Sequence, residues 1–179
     1  MALFQVTNIF KSLKARSKTS PPVPEAVWQN PLYFFAFGFG SGAMPVAPGT
    51  FGTLMAIPFY LFLQPLPLIP YLIFLVCFIA LASWASDRIS RDIHFHDHPG
   101  MCIDEFAGFF VTMINAPHGF KWILLGFLLF RFFDIVKPWP IRWIDEKVHG
   151  GFGMVLDDIV AGIVSFAIIQ IIKYLGVHI

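Results

Sequence analysis

Charge is scarce in this sequence: Asp, Glu, Lys and Arg together make up 13% of its 179 residues. A soluble domain carries about 25%, so the scarcity argues against a chain whose whole surface meets water. Cysteine is scarcer still. Cys77 lies inside an apolar run and Cys102 beside a polar loop. They form no metal-ligand spacing and are weak ground for a disulfide, so both are read as free thiols. Neither cysteine has the downstream arginine of thiolate phosphatases, and no Gly-x-Ser-x-Gly elbow or P-loop occurs. Covalent catalysis on cysteine or serine is thereby left without support. A secretory leader is missing too, because in residues 1–20 the apolar residues precede the charges, the reverse of a signal peptide. No cleavage is expected.

Apolar surface, by contrast, is abundant. Hydrophobic residues reach 57%, with 22 Phe, against about 45–50% in a soluble domain. This composition places the chain in a membrane, and its length leaves room for one domain. Lys11, Lys14, Arg16 and Lys18 all precede the first acid, which marks a cytoplasmic end. Ahead of them Leu3, Phe4, Val6, Ile9, Phe10 and Leu13 recur at roughly helical spacing. Residues 2–15 therefore read either as an amphipathic helix on an anionic membrane surface or as a frayed tail. Prolines make residues 18–31 a linker. The domain reading is a basic, proline-rich tail and linker over 1–29, then a helical membrane domain over 30–179.

The glycines and prolines of residues 38–52 interrupt an apolar stretch that also holds Ser41 and Thr50. Irregular backbone at membrane depth needs protein or a wet cavity around it. The stretch is read as a re-entrant or surface loop whose free N–H groups could meet an anion, with a plain glycine-broken turn as the alternative. Apolar runs follow at roughly 51–63, 69–86, 104–116, 120–136 and 158–175. Several fall short of the ~20 residues of a full span. The expected fold is all-α, an integral membrane bundle of about four to five short or tilted helices with an amphipathic N-terminal segment. Five crossings that start inside put ten of the twelve Lys and Arg residues on the inner side, as the positive-inside rule asks. Trp28, Trp84, Trp139 and Trp143 then fit an interfacial belt.

The charges that remain are grouped. Arg131 and Asp134, at i,i+3, share a helical face, Lys137 follows, and Pro138 and Pro140 end that helix. After a turn at Gly150, Gly151 and Gly153, Asp157 and Asp158 are expected to cap the next apolar helix. A second pair, Asp104 and Glu105, opens the third apolar run. Gly108 and Gly162 each stand four residues after an Asp, placed to let two helices approach until their acids share one ion. An ionisable group at the centre of a membrane helix costs about 2.5–3.5 kcal/mol, so five such acids imply pairing or function. Solvated helix caps are the plain alternative for each acid alone. His94, His96 and His98 alternate in HFHDHPG, yet hard oxygen-rich surroundings favour Mg²⁺ over zinc. His149, beside the glycine turn, could donate a proton. A divalent-cation transporter or channel would use the same carboxylates, though its site would lie nearer the midplane. A purely structural membrane protein would leave the cluster unexplained.

Several blocks together resemble a known family: GFGSG and P-x-x-PGT-x-G within 38–52, HDH at 96–98 and DE-F-x-G at 104–108. They continue with FR-x-x-D-x-x-KPWPIRW-x-D-x-x-x-HGG-x-G at 130–153 and DD-x-x-AG at 157–162. The chain resembles bacterial phosphatidylglycerophosphatase A from about residue 30 to 165, with Pro99-Gly100 as a departure after HDH. The resemblance implies a small helical enzyme of the bacterial inner membrane, its active site facing the cytoplasm. Such an enzyme removes the terminal phosphate of phosphatidylglycerol phosphate with Mg²⁺ to give phosphatidylglycerol. The expected partners are that lipid and the bilayer, with no nucleic acid, and the oligomeric state is open. On this reading Asp104, Glu105, Asp134, Asp157 and Asp158 hold one Mg²⁺ or a pair, and Arg131 and Lys137 hold phosphoryl oxygens. Ser41, Thr50 and His149 complete the substrate contacts. Water and a carboxylate stay open as nucleophile.

Overall fold

The computed structural model describes residues 22–95 and 98–176, and among these the regular elements are all helices. The proposed amphipathic segment at 2–15, the basic cluster behind it, and His96 and Asp97 of the HDH motif lie outside the described residues. A single 3₁₀ turn at Glu25–Trp28 leads into α1, Pro31–Ala36. Asn30 caps α1 by accepting a bond from Leu32 N at 2.9 Å, with Pro31 in the first turn where its missing N–H costs nothing. A kinked 3₁₀ segment, Gly38–Ala43, follows, and then come α2 (Pro48–Leu63), α3 (Leu68–Asp92) and α4 (Ile103–Thr112). The chain continues through α5 (Phe120–Val136), α6 (Ile141–Lys147) and α7 (Gly150–Tyr174). Each of the five apolar runs falls on a helix. The short helix α6 has no counterpart among them.

Successive long helices run in alternating directions. At one end Tyr71 Oη of α3 donates to Phe110 O of α4 at 2.7 Å, and Gln170 Nε2 of α7 donates to Ile114 O at 3.0 Å. At the other end the backbone of Gly151 in α7 lies against Ser83 and Asp87 of α3, and Glu105 of α4 meets Arg131 of α5. The starts of α2, α4 and α7 and the ends of α3 and α5 therefore gather at one end of the bundle. Helix α4 is its axis: every residue in it is buried except Asp104 and Glu105. It packs chiefly against α7, and glycine sets the distance. A Cβ on Gly162 would stand 2.5 Å from Gly108 O, and one on Gly108 would stand 2.7 Å from Asp158 O. Both are closer than real Cβ contacts, so the two glycines do let these helices meet as their spacing predicted.

Three expectations need correction. Helix α7 starts at Gly150, so Asp157 and Asp158 lie two turns inside it and His149 occupies the N-cap position. Of the glycines expected to form a turn, Gly150, at φ 85°, does turn the chain, whereas Gly151 and Gly153 lie in the first turns of the helix. Gly151 and Gly153 are glycine because neighbouring backbone, Ser83 O and Val148 O, comes within 2.1 and 2.3 Å of where a Cβ would be. Of the loop at 38–52, only the first part is irregular, with Phe39 and Gly40 at φ 57° and 88°. Residues 48–52, including Thr50, form the start of α2, because Pro48 sits at its first position. Helices α3 and α7 are each long and apolar enough to cross a membrane, and α2 is a shorter apolar helix.

Candidate active site

At the gathered end, five helices each contribute charge or a hydrogen-bonding group. Asp104 and Glu105 stand in the first turn of α4, and Asp104 Oδ1 accepts from Glu105 N at 3.1 Å, as acids at a helix start commonly do. Arg131 and Asp134 are one turn apart at the end of α5 and form an ion pair at 2.5 Å. Arg131 Nη1 also lies 3.8 Å from Glu105 Oε1, with both side chains 13% exposed. Thr53 in α2, fully buried, accepts from Arg131 Nη1 at 3.4 Å while donating to Gly49 O at 2.9 Å. Gly49 lies close against the pair, since a Cβ there would stand 2.1 Å from Glu105 Oε1 and the carboxylate would have to move.

Lys137 ends α5 in a left-handed conformation, φ 42°. Its ammonium donates to Asp157 Oδ2 at 2.6 Å and to Asp145 Oδ1 at 2.7 Å. Burial alone would lower its pKa, but Asp157 and Asp145 outweigh that and hold it above the ordinary lysine value. The lysine therefore stays charged throughout the neutral range.

The carboxylates meet around Asp158, which is 4% exposed. One ligand atom each from Asp104, Glu105 and Asp158 lie within 4.8 Å of one another, and so do those of Asp134, Asp157 and Asp158. Asp158 belongs to both groups. Two like charges that close repel by roughly 3 kcal/mol even at an effective dielectric of ~20. The five acids outnumber Arg131 and Lys137 by three, so the local cations do not neutralise them. Two buried carboxylate oxygens of the cluster, Asp158 Oδ1 and Glu105 Oε2, have no hydrogen-bond partner. Buried polar atoms are rarely left so, and hard, anionic, orphaned oxygens around a shared carboxylate fit a divalent cation of the Mg²⁺ class.

All seven charged residues singled out in the sequence are thus brought to one end of the bundle. The remaining three are placed differently. The Ser41 hydroxyl is buried and donates to Gly38 O at 2.7 Å, so it serves its own loop. Thr50 lies half-buried in the first turn of α2, and Thr53, one turn on, is the residue that reaches Arg131. His149 is exposed, and the eight residues from it to Asp157 rise about 12 Å along α7. His98 is buried, accepts from Gly100 N at 3.0 Å on Nδ1, and lies between the rings of Phe37 and Phe95. Sequence reasoning missed Thr53, Gly49 and Asp145. Gly49 and Asp145 had a signal, their places in the PGT and RW-x-D blocks, and Thr53 had none.

The family model described as phosphatidylglycerophosphatase A matches residues 34–173. A phosphatidylglycerophosphatase A of Escherichia coli K12 is 42% identical over 146 residues, covering 81% of this chain and 85% of that protein. Another, from Haemophilus influenzae Rd, is 39% identical over 86% of this chain and 95% of its own length. A Bacteroides thetaiotaomicron protein, provisionally named a phosphatidylinositol-3-phosphatase, is 33% identical over 76% of this chain and 90% of that protein. No solved structure matches. With the family model spanning every charged residue of the cluster and close relatives covering most of the chain, the protein belongs to the phosphatidylglycerophosphatase A family of phosphatases.

Proposed function

We propose that this protein hydrolyses the terminal phosphate monoester of phosphatidylglycerol phosphate, with Mg²⁺, at the inner face of the bacterial inner membrane. The observation that carries the reading is the pair of carboxylate groups sharing Asp158, with its buried Oδ1 and that of Glu105 Oε2 unpartnered. Asp104, Glu105, Asp134, Asp157 and Asp158 would hold one or two cations. Bound there, Mg²⁺ would neutralise phosphoryl charge and acidify a nearby water. Arg131, steadied by Thr53 and Asp134, presents a planar fork of donors to phosphoryl oxygens. Lys137, held by Asp157 and Asp145, adds a point charge. Phosphate monoesters need accelerations of up to ~10²¹-fold, and such fixed charges in a site shielded from water are how electrostatics supplies much of it.

A lipid substrate fits the exterior. Phe62 on α2 and Ile69 on α3 are 80% and 72% exposed, and Leu72, Ile73 and Val76 extend that apolar face. An integral membrane bundle, with α3 and α7 spanning and the shorter helices tilted or partial, gives these residues hydrocarbon as their solvent. Trp28, Trp84, Trp139 and Trp143 are exposed around the site end, at the level an aromatic belt would occupy. Arg88, Arg91, Arg142 and Lys147 lie at that end too, which supports its facing the cytoplasm. A 1–29 tail followed by one membrane domain accords with this arrangement.

The test is phosphate release by purified protein from phosphatidylglycerol phosphate in mixed micelles, with a phosphatidylinositol phosphate alongside. Mg²⁺ should support turnover, chelator should abolish it, and readdition should restore it. Full turnover in chelator, after verified metal removal, would refute the cation mechanism. Turnover of the inositol lipid alone would refute the substrate.

A further inference from the structure

We infer that Asp145 is a positioning residue: from the short helix α6 it holds the Lys137 ammonium beside the carboxylate cluster, so that lysine and cation need not compete for Asp157. The inference rests on the phosphatase reading above. Asp157 is claimed twice, as a member of a carboxylate group and as a partner of Lys137 Nζ at 2.6 Å. Were it the only anion near Lys137, the ammonium would settle on it and oppose cation entry. Asp145 Oδ1, at 2.7 Å, shares the charge. An ammonium has three donors, so with one on each carboxylate the third is left for a phosphoryl oxygen.

The local chain is built for this sharing. The left-handed backbone of Lys137 turns the chain off α5, and Pro138 O at once accepts from Ile141 N at 2.8 Å to begin α6. Ile141, fully buried, pins α6 against the bundle, while Arg142, Trp143, Asp145, Glu146 and Lys147 are exposed. Arg142 is taken by Glu146 at 3.0 Å. Asp145 is thus the carboxylate of α6 given to Lys137. An exposed acid in an ion pair adds little stability, so the main consequence of the pairing is where the ammonium sits.

Asp145→Asn keeps the shape and removes the charge. In full-length protein with saturating Mg²⁺, acylation of Lys137 by an amine reagent, read by peptide mass spectrometry, should rise about tenfold in the variant. Its kcat/KM should fall about tenfold and the Mg²⁺ needed for half-maximal turnover should rise severalfold, the scale of one lost charge-assisted bond. Asp145→Glu, which keeps the charge, should restore most of both. In a Lys137→Met background Asp145→Asn should change turnover less than twofold, because the tether has nothing left to hold. Unchanged labelling, or an equal loss of turnover in the Lys137→Met background, would overturn the inference while leaving the phosphatase reading intact. A wild-type protein inert toward the lipid would overturn that reading and the catalytic role of the tether with it, whereas labelling still decides whether Asp145 holds Lys137.

Discussion

The two ends of this bundle differ in the charge of the polar groups they hold. At the end away from the site, polar groups serve mainly to close helix ends on backbone carbonyls. Tyr71 Oη donates to Phe110 O at 2.7 Å, Gln170 Nε2 to Ile114 O at 3.0 Å, and Lys173 Nζ to Asn115 O at 3.0 Å. At the site end the polar groups are anionic, crowded around Asp158 and partly unsatisfied. Backbone carbonyls cannot answer an excess of carboxylates; only cations can. The difference separates polarity that completes a fold from polarity held ready for a ligand.

The sharpest way to break the comparison is Asp158→Asn, which keeps volume but removes the shared charge. Phosphate release should fall roughly 10²–10³-fold. The melting temperature in chelator should hold or rise, because a repulsive buried charge has gone, and the stabilisation by Mg²⁺ that the proposed cation site gives the wild type should be absent from the variant. A drop in stability in chelator would show that Asp158 is structural, like the groups at the far end.

Gly162→Ala probes the contact beneath the acids. Its Cβ would sit 2.5 Å from Gly108 O, so α4 and α7 must separate. Overpacking of this kind costs about 1–3 kcal/mol, and turnover should fall about tenfold because Asp158 lies one turn away. Thermal melting and turnover measured together would expose a loss in only one of them. The smallest effect belongs to the far end. Tyr71→Phe orphans Phe110 O and should cost about 0.5–1.5 kcal/mol of stability, with kcat within twofold of wild type. A larger fall in kcat would mean that the two ends communicate through α4.

The apolar runs made all five long elements legible, and the glycine spacing made the α4–α7 contact legible, because both follow from periodicity alone. The acids could be grouped for the same reason. Their surroundings could not. Asp157 and Asp158 read as caps because three glycines precede them, but the helix begins at Gly150, and Gly151 serves the close approach of α7 to Ser83 and Asp87 of α3. Thr53 reaches Arg131 from a helix distant in sequence, which no local pattern reveals, and the PGT block that holds Gly49 does not tell that it lies against Glu105. Ser41 looked like a donor for substrate, but its hydroxyl had a nearer acceptor in Gly38 O.

The brevity of α4 bears on how the protein is made. Ten residues rise about 15 Å, half the hydrocarbon thickness of a bilayer, and two of the ten are acids. Such a segment has little reason to enter lipid by itself. It becomes stable when α7, the most C-terminal of the described helices, supplies Gly162 and the opposing carboxylates. A nascent chain therefore holds no complete carboxylate cluster until α7 has emerged and docked, and on the proposed function hydrolytic activity is acquired in one late step of assembly.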